Sequence, residues 1–286
     1  MKRRTLSPTA ARFFAQRSAV VGLVFLVIEI ALVLVLPLVL GQDPNAVDRT
    51  AGFWAPPGGA HLLGTDDVGR DVLARLLYGG RISLLVGFSS AALSAVIGIP
   101  LGLLAGYKGG RWEYWIMRAC DTFQSFPSLI LVLCLVSLVG PSVWNLILVI
   151  GGLGWSSLAR LVYGSTLSVK EKEYVEASRA LGASDREILR YTVFPNVVAP
   201  VWASLPMKVA RAILSESSLS FLGVGLRPPQ ASWGNLMKNA MELATLTGRP
   251  WVWVPPGLCI MATVLSLLLV GEGLRKAMNP RTWTKA

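Results

Sequence analysis

The sequence predicts an all-α polytopic membrane protein, a bundle with about six transmembrane helices. Three observations predict it. Mean hydropathy is +0.56, with 53% hydrophobic and only 15% charged residues, where a soluble domain carries about a quarter charged residues. The apolar residues come in runs long enough to cross, as helices, about 30 Å of hydrocarbon. The basic excess, 27 Lys and Arg against 16 Asp and Glu, is spread through short connecting segments. That spread argues against nucleic-acid binding and fits retention of positive charge on the cytoplasmic side of a membrane.

The first apolar run, 19–40, follows Lys2, Arg3, Arg4, Arg12 and Arg17. It exceeds the roughly 7–15 apolar residues of a secretory leader, so it reads as a retained span behind a cytoplasmic segment, 1–18. Further spans are expected at 82–107, 114–139, 143–163, 197–214 and 251–274, within a transmembrane domain over 19–275. The third carries Arg118 and Asp121 near its start, so its embedded part begins near Phe123, and Pro127 bends it. With the N-terminus inside, inner segments hold seventeen basic residues and outer segments six. This asymmetry places both termini in the cytoplasm, the second as a tail over 276–286. The longest extramembrane stretches are then 41–81 and 215–250 outside and 164–193 inside, with no soluble domain and no internal repeat.

In the second span Ser94, Gly98, Gly102 and Gly106 stand four apart. Small residues at that spacing let a neighbouring helix approach closely. Cys120, Cys134 and Cys259 match no metal or redox spacing and read as apolar packers. His61 is the only histidine, so the chain cannot build a His-based metal site. A phosphate cradle of the Gly-x-x-x-x-Gly-Lys-Ser/Thr type is absent; Gly106-Tyr107-Lys108-Gly109-Gly110 has the wrong order. Energy from ATP would have to come from another polypeptide.

Segment 168–195 carries the strongest signal. Ser168 followed by Glu171 reads as a capping box that starts a helix. Gly182 ends it in the left-handed region. Ser184 followed by Glu187 is a second box, and its helix is expected to stop before Pro195. The first helix is amphipathic, with Tyr174, Ala177, Ser178 and Leu181 on one face. The residues alone leave two destinations open: the inner membrane surface or its own bundle, and a partner protein.

Glu176-Ala177-Ser178, then Gly182, then Phe194-Pro195 resembles the "EAA" signature of permease subunits of binding-protein-dependent ABC importers, with Ser178 for the second Ala, Thr192 for Ile and Phe194 for Leu. Leu63-Gly64-Thr65-Asp66, Gly69-Arg70-Asp71 and Tyr78-Gly79-Gly80-Arg81-Ile82-Ser83-Leu84 resemble the dipeptide/oligopeptide/nickel branch. So do Asp121 with Ser125-Phe126-Pro127, and Ser218-Leu219-Ser220-Phe221-Leu222-Gly223 with Trp233-Gly234. The likeness covers nearly the whole chain past residue 40 and is nearest to the C-type permease.

The resemblance implies a type I ABC importer-like permease bundle in the bacterial inner membrane. It implies a second permease forming a heterodimer, two ATP-binding subunits and an extracytoplasmic substrate-binding protein. ATP and Mg would be used by those subunits, and this chain would bind no cofactor. Segment 168–195 would hold the coupling helix, seated in a cleft of the ATPase, with Tyr174, Glu176, Ala177, Ser178, Leu181, Gly182 and Pro195 as coupling residues. Peptides are the family's default cargo; nickel, metal chelates and opines stay open.

Three intramembrane charges depart from the apolar norm: Glu29 in the first span, Lys208 and Arg211 in the fifth. Such charges usually face a pathway or each other. Lys208 and Arg211 share a face, and Glu29, Glu216 or a substrate carboxylate could neutralise them. On the outer side, 65–79 can form an amphipathic helix with ion pairs Asp66/Arg70 and Asp71/Arg75. It reads as an interfacial scaffold or, with Trp233, as a docking surface for the binding protein. Two rival functions were weighed. An ion-coupled carrier could use Glu29, Lys208 and Arg211. A membrane enzyme lacks a nucleophile with a base or a metal cluster.

Overall fold

The computed structural model describes residues 8–278; Lys2, Arg3, Arg4, Arg281 and Lys285 and most of the tail 276–286 lie outside them. The helices in chain order are α1 (Pro8–Phe14), α2 (Arg17–Leu40), α3 (Val72–Lys108), α4 (Gly110–Ser125), α5 (Ser128–Val139), α6 (Val143–Lys170), α7 (Glu173–Ala180) and α8 (Asp185–Glu187). A π-helical turn, Ile188–Val193, joins α8 to α9 (Phe194–Phe221). Then come α10 (Trp233–Met237), a 3₁₀ turn (Lys238–Met241), α11 (Leu243–Gly248) and α12 (Pro250–Met278). Among the described residues extended pairing is limited to isolated bridges in 47–71.

Five helices are long and apolar enough to cross a membrane, and α4 with α5 makes a sixth if counted as one broken span. The sequence predicted one bent helix over 114–139. Instead the chain turns by 89° between Ser125 and Ser128. Phe126 precedes Pro127 and sits in the extended region (ψ 143°), as a residue before proline prefers. Proline itself has no N–H to continue the ladder.

The spine of the bundle is α3 against α6. A Cβ on Gly98 would lie 2.8 Å from the Trp155 carbonyl, one on Gly102 2.4 Å from that of Ala159, and one on Gly106 2.6 Å from Thr166 Cβ. The Ser94 hydroxyl donates to the Gly151 carbonyl at 2.9 Å. On the other side α2 buries one stripe, Ala19, Gly22, Leu26, Glu29, Val33 and Pro37, and exposes apolar residues elsewhere. Gly22 lets it close on α12 at Ser266, and α1 tucks Phe13 beside Gly273 of α12.

The outer segment before α3 is not the helix expected over 65–79. Residues 65–70 form a turn, and α3 starts at Val72, where Asp71 accepts from Ala74 N–H at 2.7 Å. Asp66 does pair with Arg70 (2.7 Å), within that turn. The expected Asp71–Arg75 pair is replaced: Arg75 Nε lies 3.4 Å from Asp66, and Asp71 binds His61 Nδ1 at 2.8 Å. Asp71 cannot cap a helix from within it, so the cap fixes the boundary.

Candidate functional site

Two regions concentrate polar chemistry: the projecting α7 with its flanks, and a cleft beside α9. The first starts later than expected. Ser168 lies inside α6, where its hydroxyl donates to the Gly164 carbonyl, so it caps nothing. The α6 ladder runs on to Lys170, and α7 begins at Glu173 without a side-chain cap. At the far end the expectation and the geometry agree. Gly182 has φ +84°, its N–H donates to Arg179, and the Ala183 N–H donates to Ser178. That pair of bonds is the Schellman arrangement.

Ser184 and Glu187 form the reciprocal capping box. The helix does not stop before Pro195, however. Phe194 keeps helical dihedrals and donates to Leu189, five residues back. This wider turn opens the space a proline ring needs against the preceding carbonyls. The backbone therefore runs unbroken from α8 into α9.

A single residue, Val175, anchors α7; it is 0% exposed and packs with Tyr107, Val162, Ile188 and Val193. The opposite face is open. Tyr174 is 45% exposed and Leu181 88%, with Glu176 and Ala177 exposed and Ser178 half-buried. Tyr107, near the end of α3, donates to Asp185 at 2.6 Å. Lys170, at the end of α6, donates to the Tyr107 carbonyl at 2.8 Å. The small projecting unit is thus tied to α3, α6 and α9 at once. Sequence reasoning missed Val175, Tyr107, Lys170 and Asp185. Only Val175 carried a signal, as the one β-branched residue in a short polar helix.

The cleft has a volume of about 380 Å³ and lies between α3, the α4–α5 bend, α6 and α9. Lys208 and Arg211 line it with several serines and Gln124. Lys208 Nζ donates to the Gly154 carbonyl at 2.8 Å and reaches the Ser157 hydroxyl. Neither carboxylate suggested as their counterion is present. Glu29 points between α2 and α12, where Thr263 donates to it at 2.8 Å. Glu216 is fully buried and held by Ser83 (2.9 Å) and Ser220 (2.8 Å). Both are held by hydroxyl donors elsewhere: Glu29 by Thr263 of α12, Glu216 by Ser83 of α3 and by Ser220 one turn on in α9 itself.

The expected binding-protein contacts need correction. Trp233 is 0% exposed. Its ring packs on Gly80, its Nε1–H donates to Leu76 at 3.0 Å and its backbone N–H to Ser83. Asp66 and Asp71 are buried by their hydrogen bonds, and Arg70 is mostly covered through its pairing with Asp66. These residues hold the outer segment in place, and of the four Arg70 is the one that is only partly buried.

The description "Binding-protein-dependent transport system inner membrane component" belongs to a family model that matches residues 98–284. A second model, "N-terminal TM domain of oligopeptide transport permease C", matches residues 8–57. A putative peptide permease protein of Brucella suis biovar 1 is 41% identical, covering 96% of this chain and 91% of its own. The dipeptide transport system permease protein DppC of Haemophilus influenzae is 36% identical, covering 94% and 92%. Among solved structures, an inward-facing conformation of the MetNI methionine ABC transporter matches with a TM-score of 0.59 at 18% identity. That match covers 72% of this chain and 96% of the other, a likeness of fold.

Proposed function

Because the chain belongs to the family of inner-membrane components of binding-protein-dependent transport systems, we propose that its cargo is a peptide and its motor a separate pair of ATPase subunits. The protein is a permease subunit of such a transporter. The peptide assignment is supported by the names of its relatives, a peptide permease and a dipeptide permease. Its sister is a second permease, and an extracytoplasmic binding protein delivers the peptide. Both termini lie in the cytoplasm, on the side where basic residues cluster. Residues 168–195 then face the ATPases.

The observation that carries this reading is the build of α7. One buried valine holds it, its outer face is bare, and an 88%-exposed leucine stands at its tip. Docked in an ATPase cleft, that face would be covered. Motion of the ATPases would pass through Val175, Asp185 and the π turn into α3, α6 and α9 together. Separation of these helices from those of the sister permease would open the pathway to one side of the membrane and then to the other.

Gly182→Pro forces a φ near −65° on a residue held at +84°. Glu176→Arg reverses a charge on the exposed face. Each variant should insert in the membrane normally but lose co-purifying ATPase subunits and peptide uptake, at least tenfold. Uptake and ATPase retention equal to wild type in both would refute the coupling role.

A further inference from the structure

The cleft beside α9 has two cations and no anion. Lys208 and Arg211 sit three residues apart on one helix face, and none of the lining residues is Asp, Glu or His. Lys208 satisfies two of its three donors on Gly154 and Ser157. Arg211 is exposed to the cleft and makes no hydrogen bond or ion pair among the described residues, so its five donors have no protein acceptor there. Ser90 adds a hydroxyl that is 1% exposed and unpartnered. Charges at membrane depth are costly and ordinarily face one another or a transported species. Here the carboxylates offered as counterions, Glu29 and Glu216, are committed to Thr263 and to Ser83 and Ser220, and Asp121, close in sequence to the cleft's Phe123 and Gln124, is paired with Arg160.

The rest of the lining is mixed. Phe123, Leu131, Ile150 and Leu153 offer apolar surface, and Gln124, Ser128 and Ser215 add uncharged polar groups. The volume, about 380 Å³, lies in the range of small-molecule sites. A ligand with one carboxylate and variable side chains would find both its parts served. A guanidinium presents a planar fork that matches a carboxylate, and the rest of the lining carries no charge with which to select among side chains.

We propose that this cleft is a carboxylate-reading station on the pathway, in which Lys208 and Arg211 clasp the C-terminal carboxylate of the transported peptide. This rests on the peptide reading above. The uncharged remainder of the lining takes the side chains, so the cations read what every free peptide shares.

The test uses the complete transporter, with its sister permease, ATPases and binding protein. Equilibrium binding of alanylalanine and of its C-terminal amide is measured on the detergent-solubilised complex without binding protein. Uptake of alanylalanine is measured in proteoliposomes with it. Wild type should bind the acid at least about tenfold more tightly than the amide. Lys208→Gln and Arg211→Gln should each weaken the acid about tenfold and leave the amide unchanged, while Lys208→Arg and Arg211→Lys keep the preference.

Uptake should fall with acid affinity. Wild-type uptake of alanylalanine with no effect of either Gln variant would overturn the station and leave the peptide reading standing. Wild type that moves no peptide would remove both. Loss of the sister permease on purifying Arg211→Gln, with acid and amide bound alike, would show that the cations serve a carboxylate of that subunit and would overturn the proposal.

Discussion

Pro37 has no N–H to give, so the Val33 carbonyl one turn earlier in α2 has no helical donor. Arg81 of α3 takes it, Nε to O at 2.9 Å, and takes the Leu34 carbonyl as well at 2.6 Å. A residue that reads in the sequence as a charge at a membrane boundary is therefore a substitute backbone donor. His61 has a similarly local cause. It bridges Asp71 and Asp48, and its pKa is raised, first by the hydrogen bond to Asp71. The Thr50 hydroxyl and amide hold Asp48 below the usual carboxylate range. A raised imidazole value means the protonated form is favoured in the fold. That stabilisation is complete below about pH 6.5, the ordinary value, and is lost as pH rises through the raised one. The Asp48 contribution has the opposite sign and is lost in acid. Proteolysis within 41–71 should accordingly speed up as pH climbs from about 6.5 through the raised value, and His61→Gln should flatten that dependence. A wild-type cleavage rate constant from pH 6 to 9 would contradict the bridge.

At the scale of elements, α3 and α6 meet through glycine. With 37 residues α3 is about 55 Å long by the rise of an α-helix, so it extends well beyond the hydrocarbon, and its fit to α6 fixes the axis of the bundle. Side chains at Gly98, Gly102 and Gly106 would strike α6 backbone or Cβ atoms, which cannot swing aside. Gly102→Val should destabilise the purified protein by about 1–3 kcal/mol, the usual range for overpacking, visible as a lowered thermal midpoint. Gly152→Ala, whose Cβ would meet nothing within 4 Å, should change little. Equal midpoints for the two variants would refute the close approach. The π turn is the second element with a consequence. It passes the chain through Pro195 without a break, so α8, the π turn and α9 form one continuous helical run beside α7.

Across the whole molecule, surface is the telling quantity. The chain exposes 16170 Å², whereas a compact soluble protein of 30.8 kDa exposes about 12,000 Å². Many large apolar side chains on the helices are part of that exposed surface, among them Leu38, Val96 and Leu138. Alone in detergent the chain should turn over no ATP, and ATPase activity should appear only when the ATPase subunits are added; turnover by the purified chain would overturn the division of labour. Much of this was legible in one dimension. Hydropathy runs placed the spans, because a bilayer imposes length and apolarity on each helix independently. The four-residue spacing of Ser94, Gly98, Gly102 and Gly106 and the positive φ of Gly182 follow from short-range sterics, so local sequence determined them. Apart from the local Asp66–Arg70 pair, the partners of charged groups were decided by the tertiary structure. Asp71 took His61 and not Arg75, Glu29 turned to Thr263 of α12, Glu216 to Ser83 of α3 and Ser220 of its own helix, and Trp233 went inside. A charge in a span takes whichever donor packing brings within 3 Å, and that donor lies up to 234 residues away along the chain. The sequence by itself therefore determined which segments are long and apolar enough to cross, except 114–139, which breaks at Pro127, and where small residues permit contact. Only the fold decided which polar groups were left without a counterpart, because that depends on which faces meet.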